Sequence, residues 1–181
     1  MKALGLLEFK SIGKGIEATD QMIKSANVKL LFATPMCPGK YISIISGNIG
    51  AVKNAVETGK KVGDIFTVCD FVISNVHEGV FSALTATTNI EEVNSLGIIE
   101  TMSSISAIMA GDIALKSANI ELLEIRIARG LGGKGFVLVT GELSSVKSSV
   151  KASKSKLGPR GEIISSVVVA SPTKELISQL Y

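Results

Sequence analysis

Two cysteines are the residues of this chain with the clearest capacity for chemistry, and their surroundings differ. Cys37 lies in Met36-Cys37-Pro38-Gly39-Lys40, a Pro-Gly segment that predicts a tight, exposed turn. Cys69 lies in the apolar run 65–73, which predicts a buried strand in which the thiol is a small core residue. Two cysteines in such settings indicate no disulfide framework, and both fit a reducing compartment. Taken alone, Cys37 indicates no more than a free thiol.

The segment Gly130-Leu131-Gly132-Gly133-Lys134-Gly135 has the composition of a phosphate-binding loop. A true phosphate loop ends in Gly-Lys-Ser or Gly-Lys-Thr and opens a helix, whereas here Phe136 begins an apolar strand. We therefore interpret this segment as a flexible loop. His77 is the only histidine, and no nucleophile, histidine and acid stand in a catalytic pattern. The sequence predicts a protein that is not an enzyme.

Charge and hydropathy argue against a nucleic-acid-binding protein and against a membrane or secreted protein. The net charge of +3 is small, and the basic stretch 147–156 has no aromatic residues for base stacking, so we expect no nucleic-acid partner. No apolar run approaches the roughly 18 residues of a membrane-spanning helix, and Glu8 and Lys10 interrupt the first apolar run, so we expect neither a membrane segment nor a secretory signal. The mean hydropathy of +0.41 favours a protein that buries surface against neighbours.

The elements that position these residues occur twice. Lys24-Ser25-Ala26-Asn27 returns as Lys116-Ser117-Ala118-Asn119, a shift of 92 residues, and Gly39-Lys40 returns as Gly133-Lys134, a shift of 94. Each half predicts strand, helix, strand, strand, helix, strand and helix, which is an α+β unit with a mostly antiparallel sheet and flanking helices. We expect domains at 1–88 and 96–181, joined by a polar linker at 89–95.

Local sequence patterns predict the buried face of the first helix and the ends of several helices and strands. A stripe at Ile12, Ile16, Thr19, Ile23 and Ala26 predicts the buried face of the first helix, with Asn27 and Asn119 as left-handed residues that end the equivalent helices. The last helix of the first half is expected to begin near Asn75. In the second half, Ser171 is the predicted N-cap and Pro172 the first helical residue. The predicted strands are 3–9, 28–33, 41–46, 65–73, 96–100, 120–127, 136–140 and 163–170.

The order of elements, with Lys-Ser-Ala-Asn closing the first helix of both copies, resembles the bacterial microcompartment shell domain, the BMC domain. The tandem copy resembles the subclass in which three two-domain chains form a pseudo-hexameric homotrimer, a flat tile of the shell. The Cys37-Pro38-Gly39-Lys40 loop, the glycine-rich loop of the second copy and His77 are similar to the iron–sulfur subgroup found in propanediol-utilisation compartments.

The resemblance implies roles for particular residues. Lys24, Asn27, Lys116 and Asn119 would lie at tile edges and contact other microcompartment shell proteins. The loop between the second and third strands would surround the central pore of the tile, and this pore loop would include Met36, Pro38, Gly39, Lys40, Gly132 and Gly133. Lys40 would add positive potential there.

The same resemblance implies a 4Fe-4S cluster shared by three chains at the trimer axis, with one Cys37 from each chain as the metal ligand. Water, hydroxide or a small exogenous molecule would complete the fourth iron. The cluster would serve electron transfer across the shell, cluster delivery to an enclosed redox enzyme, or pore plugging. The alternative is a tile whose pore conducts small metabolites without a cluster. Either protein would reside in a microcompartment shell in the cytoplasm.

Overall fold

The computed structural model describes residues 2–89, 92–127 and 130–180. The chain divides into two compact units, Met1–Val76 and His77–Tyr181. Residues 90 and 91 of the expected linker lie outside the described residues, and the next strand begins at Ser95. No helix in the described ranges is long and apolar enough to cross a membrane.

The first unit is a four-stranded antiparallel sheet with two helices. Its strands have the order β2-β3-β1-β4, and α1 and α2 pack on one face over a core that includes Leu7, Phe9, Met22 and Ile45. In chain order the elements are β1 (Ala3–Phe9), α1 (Ile12–Ser25), β2 (Val28–Met36), β3 (Lys40–Gly47), α2 (Ile49–Gly63) and β4 (Thr67–Ile73).

The second unit repeats this sheet with the order β6-β7-β5-β8 and carries two additional short helices. The predicted α+β class and its antiparallel sheets are therefore confirmed in both halves. In chain order the elements are α3 (Gly79–Leu84), β5 (Ser95–Thr101), α4 (Ser104–Ser117), β6 (Glu121–Ile127), β7 (Gly135–Gly141), α5 (Leu143–Leu157), β8 (Ile163–Ala170) and α6 (Lys174–Leu180).

The sequence repeat and the compact units of the structure assign helix α3 to different halves of the chain. In sequence order it closes the first repeat, which we placed at 1–88. In the structure it belongs to the second compact unit, where it packs chiefly on β6 and also contacts α4. Consequently, the compact units divide the chain twelve residues before the boundary read from the repeat, between Val76 and His77.

The helices α1 and α4 begin and end in the same way. The side chains of Ser11 and Ser103 accept hydrogen bonds from the N–H groups of Lys14 and Ser106, which caps each helix. Each helix ends at an extended residue, Ala26 or Ala118. The prediction of left-handed Asn27 and Asn119 was wrong, because the chain passes directly from the extended alanine towards the next strand.

The predicted buried stripe of α1 was wrong for its three isoleucines, whereas Thr19 is buried and Ala26 is partly buried against the core. The buried residues of α1 are Gly15, Ala18, Thr19 and Met22, and a Cβ at Gly15 would lie 2.6 Å from the Tyr41 ring. The position of α1 on the sheet is set by this close approach. The predicted apolar residues are instead exposed, at 38% for Ile12, 54% for Ile16 and 39% for Ile23.

The short last helices begin later than predicted. Asn75 and Ser171 adopt left-handed φ values of 54° and 49°, so each forms a turn after its strand and neither starts a helix. Helix α6 begins at Lys174, and the Thr173 hydroxyl oxygen accepts a hydrogen bond from the N–H of Leu176 at 3.3 Å. The N-cap prediction for Ser171 and the first-position prediction for Pro172 were therefore wrong.

Candidate functional site

Cys37 is presented by a tight hairpin between β2 and β3. Met36 pairs with Lys40, which leaves Cys37, Pro38 and Gly39 as the three residues of the turn. Gly39 has φ of +72°, a conformation that favours glycine, and the Cys37–Pro38 peptide is cis. Met36 is buried, whereas Cys37, Pro38 and Gly39 are exposed. The hairpin therefore holds its base in the fold and presents the thiol to solvent.

A carboxylate from the sheet holds the end of this hairpin. The Lys40 Nζ lies 3.4 Å from the Glu8 Oε2, and the Glu8 side chain is only 1% exposed. Burying a carboxylate is costly unless it has a charged or hydrogen-bonding partner, and Lys40 supplies one. Much of the positive charge expected from Lys40 beside Cys37 is therefore directed into the sheet.

The equivalent loop of the second unit has no thiol in its described part, residues 130–134. Gly130, Gly132 and Gly133 have φ values of +72°, +62° and +92°. The Lys134 N–H donates a 3.1 Å hydrogen bond to the Leu131 carbonyl oxygen. Three left-handed glycines build a longer loop than the Cys37 hairpin, and Gly132 and Gly133 take the place of the Pro-Gly turn.

The second unit repeats the carboxylate–lysine pair at the base of its loop. Lys134 Nζ lies 2.9 Å from Glu100 Oε1, and the Ser165 hydroxyl donates to Glu100 Oε2 at 3.1 Å. The hydrogen bond from Lys134, followed by that from Ser165, lowers the pKa of Glu100. Glu8 and Glu100 are related by the 92-residue shift, so the same carboxylate–lysine pair anchors the loop between β2 and β3 and the loop between β6 and β7.

The four expected edge residues occupy equivalent exposed positions in the two units. Lys24 Nζ lies 2.6 Å from Asp20, and Lys116 Nζ lies 2.5 Å from Asp112. The Asn27 and Asn119 side chains are exposed, and their carbonyl oxygens lie beside Gly47 and Gly141, the last residues of β3 and β7. All four are available for contacts with other molecules, and their edge role stays a prediction.

Asp112 was missed by sequence analysis. It accepts a 2.9 Å hydrogen bond from the His77 N–H and is buried, whereas its equivalent, Asp20, is exposed. The His77 side chain is exposed, and its Nδ1 accepts from the Gly79 N–H at 3.2 Å. The signal for Asp112 was present, because an aspartate precedes the repeated lysine by four residues in both halves.

Metal-binding capacity in one chain is limited. Within the described ranges, no three His, Cys, Asp or Glu side chains are close enough together to hold a metal ion. Cys69 is half-buried on β4, opposite Glu8, and so is less buried than predicted because β4 is an edge strand. The exposed thiol of Cys37 is a chemically suitable ligand for iron, but it is one ligand. A thiolate-bound cluster at this loop would therefore need sulfur from other chains.

Comparison with known proteins places both units in one family. The model of the BMC domain matches residues 3–76 and 95–172, so it covers both sheets. A single-domain relative, the bacterial microcompartment shell protein PduA of Citrobacter freundii, is 39% identical over 83 residues, which are 44% of this chain and 87% of that protein. The duplication read from the sequence is thereby confirmed as two copies of a known domain.

Two relatives match the whole chain. The bacterial microcompartment shell protein PduT of Citrobacter freundii is 35% identical over 179 residues, 99% of this chain and 97% of that protein. The crystal structure of a microcompartment protein from Desulfitobacterium hafniense is 45% identical, covers 98% of this chain and 99% of that chain, and superposes with a TM-score of 0.94. The tandem arrangement is thus shared along the full length.

Proposed function

Because this chain belongs to the bacterial microcompartment shell proteins built from BMC domains, we propose that three copies form a tile whose central pore holds a 4Fe-4S cluster through Cys37. Shell proteins of this family are structural and are not enzymes, and this chain is a PduT-like shell tile. The proposal concerns what the tile adds to the shell.

The observation that carries the cluster proposal is the asymmetry of the two loops. Cys37 is exposed at the tip of a three-residue turn, while residues 130–134 of the equivalent loop place glycines there. In a threefold arrangement of chains, one thiol per chain becomes three thiols around one axis. Three thiolates with one exogenous ligand fit the ligand requirement of a 4Fe-4S cluster.

The residues around Cys37 suit this role. Pro38 and Gly39 keep the turn short, so the sulfur is held close to the end of the sheet. Backbone N–H groups of such a turn are available to hydrogen-bond sulfur. The Lys40–Glu8 ion pair holds the base of the turn, so the thiol is presented by a loop anchored to a buried carboxylate.

When bound, such a cluster supplies one-electron transfer. A cluster in the pore would connect the two sides of the shell and serve an enclosed redox enzyme, and this is the role we favour. The chain would act within a microcompartment shell in the cytoplasm, alongside other shell proteins at edges that include Lys24 and Lys116.

The test is iron and acid-labile sulfide analysis of protein purified without oxygen. We expect brown protein with about four iron atoms per three chains, as one shared cluster requires. Cys37→Ser should remove the iron and the visible absorbance, with the oligomer intact by light scattering. Cys69→Ser is the matched control and should retain the iron, because Cys69 lies on β4 away from the hairpin turn.

Two results would contradict the cluster. Protein that contains no iron after anaerobic reconstitution would leave a tile whose pore passes small metabolites. Iron that remains bound to the Cys37→Ser variant would show that another residue is the iron ligand. A chain that is strictly monomeric in solution would contradict the trimeric tile itself.

A further inference from the structure

The outer edge of the second sheet has none of the usual protection against pairing. β8 lies at this edge and, in the described residues, pairs only with β5. Its sequence contains neither a charged residue nor a proline, the residues with which proteins commonly block a sheet edge. Ile164 and Val167 of β8 are 38% and 49% exposed. The edge therefore has the properties of a template for an added strand.

Helix α5 carries a row of lysines on the flank beside this edge. Helix α4 packs chiefly on β6 and β7, whereas α5 packs chiefly on β5 and β8. The Ser153 hydroxyl of α5 donates to the Ala110 carbonyl oxygen of α4 at 3.1 Å, so the Ser153 flank faces α4. At 3.6 residues per turn, Lys147, Lys151 and Lys154 lie roughly 100–160° around the helix from Ser153, away from α4. We call these three residues the α5 lysine row.

The α5 lysine row has no acidic partner in the part of the chain that the structure describes. All three lysines are exposed, and none forms an ion pair within the described ranges. Helix α5 itself contains no acidic residue. Three positive charges therefore lie together beside an uncharged strand edge.

The first unit neutralises the equivalent row with its own acidic residues. Helices α2 and α5 are related by a shift of 94 residues, so Lys53, Glu57 and Lys60 correspond to the α5 lysine row. Asp70 Oδ1 on the edge strand β4 lies 3.2 Å from Lys60 Nζ. An acidic side chain on an edge strand thus reaches this row, and the two lysines of the first unit are offset by two carboxylates.

The second unit lacks both of these acidic residues. Asp70 pairs with Leu7 of β1, and the residue that pairs with Ile99, the equivalent of Leu7, is Ser166. The glutamate of α2 is replaced by Lys151 in α5. The carboxylates that the first unit supplies from its own chain are therefore missing at the equivalent place in the second unit.

We propose that the free edge of β8 and the α5 lysine row form a docking site for an extended acidic segment of another protein. The segment adds to β8 as a further strand, and its carboxylates pair with the lysines as Asp70 pairs with Lys60 in the first unit. This docking site requires neither the cluster nor the trimer of the proposed function.

Strand geometry defines the kind of segment that fits. Successive side chains of a strand point to opposite faces of the sheet, so side chains level with Ser166 face the helices and side chains level with Val167 face the other side. Acidic residues suit the helix side because the α5 lysine row lies there. Apolar residues suit the other side because Val167 is exposed there. The expected segment therefore alternates acidic and apolar residues.

A peptide fits this surface better than a nucleic acid does. Neither α5 nor β8 contains an aromatic residue on which a base could stack. The free edge of β8 offers backbone N–H and carbonyl groups, which a peptide backbone matches and a sugar–phosphate backbone does not. The lysines supply attraction, and the strand edge supplies the preference for a polypeptide.

The first test measures binding of a fluorescein-labelled peptide of about ten residues that alternates glutamate and valine, by fluorescence anisotropy with the full chain. We expect Lys154→Glu to weaken binding at least roughly tenfold, because it places a like charge against the peptide. Lys156→Glu is the matched control. It makes the same change in net charge on the same helix, but Lys156 lies on the Ser153 flank, so the affinity should fall less than about twofold.

A second variant leaves every lysine in place. Ser166→Asp restores the carboxylate that β4 has at Asp70, so the new aspartate should pair with Lys154 and compete with the peptide. We expect weaker peptide binding, whereas Ser166→Asn, of similar size but uncharged, should bind as the wild type does. Circular dichroism verifies that both variants are folded.

The third test concerns backbone pairing. One version of the peptide is N-methylated at every glutamate and another at every valine. Because alternate N–H groups of a strand point to opposite edges, only one set can pair with β8. We expect one methylated peptide to lose binding and the other to retain it, and the retained peptide should slow hydrogen exchange of β8 amides.

Several outcomes would overturn the docking site. Wild-type protein that does not bind the alternating peptide removes it outright. Equal losses in Lys154→Glu and Lys156→Glu, equal binding of the two methylated peptides, or equal binding of a thymine oligonucleotide would show unspecific attraction of anions in place of strand pairing. All these measurements can be made on iron-free Cys37→Ser protein, so their outcome is separate from that of the cluster.

Discussion

Helices α1 and α4 occupy the same place in the two repeats, but only α4 is covered. Residues 104–112 of α4 are buried, while four of the 14 residues of α1 are. The difference does not come from the helices themselves, which share their caps, their ends and their ion pairs. Part of it comes from the segment with α3, which contacts α4 through His77 and Gly79 in the second unit. A duplicated fold thus covers one of its two equivalent helices in part with its own chain and leaves the other exposed in the single chain.

The largest effect expected from this comparison is at Val80. Val80→Ala should lower the free energy of unfolding by about 2–3 kcal/mol, because it removes fully buried methyl groups and leaves a cavity. The loss should be the same at every protein concentration, since the contact is within the chain.

Leu176→Ala is the matched change in α6. Its effect on the free energy of unfolding should be smaller, because Leu176 is already 43% exposed in the single chain. Urea unfolding measures both variants, and equal losses would contradict the comparison.

A smaller effect is expected at the aspartates that precede the repeated lysines. Asp112→Ala should cost about 1–3 kcal/mol, because the His77 N–H then loses its acceptor and Lys116 loses the buried carboxylate with which it pairs. Asp20→Ala should cost only about 0.3–0.5 kcal/mol in the monomer, where it loses an exposed helical ion pair with Lys24. Thermal unfolding of both variants measures the difference, and equal losses would show that burial of Asp112 contributes nothing.

The smallest effect concerns the loop anchor of the second unit. Because Lys134 and Ser165 lower the folded-state pKa of Glu100, its ionised form stabilises the folded state at pH values above the ordinary glutamate pKa of about 4.3. That stabilisation is lost as the pH falls through the lower folded-state pKa. The Glu100 side chain is 34% exposed, so the amount should be roughly a few tenths of a kcal/mol.

Glu100→Gln tests this expectation. The wild-type protein should be more stable than the variant at neutral pH, and the difference should disappear in acid. Urea unfolding across this pH range provides the measurement, and a difference that is independent of pH would show that the ion pair does not respond to titration of Glu100.

The β2–β3 and β6–β7 loops differ in residue type, and local sequence already contained this difference. A Pro-Gly turn with Gly39 at positive φ was predictable, because these residue types favour tight turns. The Glu8–Lys40 pair was not predictable, since it joins residues 32 positions apart that meet only when β1 pairs with β3. The same holds for Glu100 on β5, Ser165 on β8 and Lys134 immediately before β7.

The error in the buried face of α1 has a physical cause. Ile12, Ile16 and Ile23 repeat at helical spacing and predict a buried face, yet the sheet lies on the side of Gly15 and Ala18. Helical periodicity identifies an apolar face but does not state which neighbour will cover it. Here the smaller residues face the sheet because Tyr41 requires a close approach of α1.

The amino-acid sequence alone established the duplication, the α+β order of elements and the strands to within a few residues, because strand alternation, helical spacing and turn residues are local signals. It also located the cysteine turn. Only the folded chain decided that α3 covers α4 rather than closing its own repeat, that Asp112 is buried while Asp20 is not, and that buried Glu8 holds Lys40. These outcomes depend on contacts between residues distant in sequence, and such contacts form only when whole elements pack together.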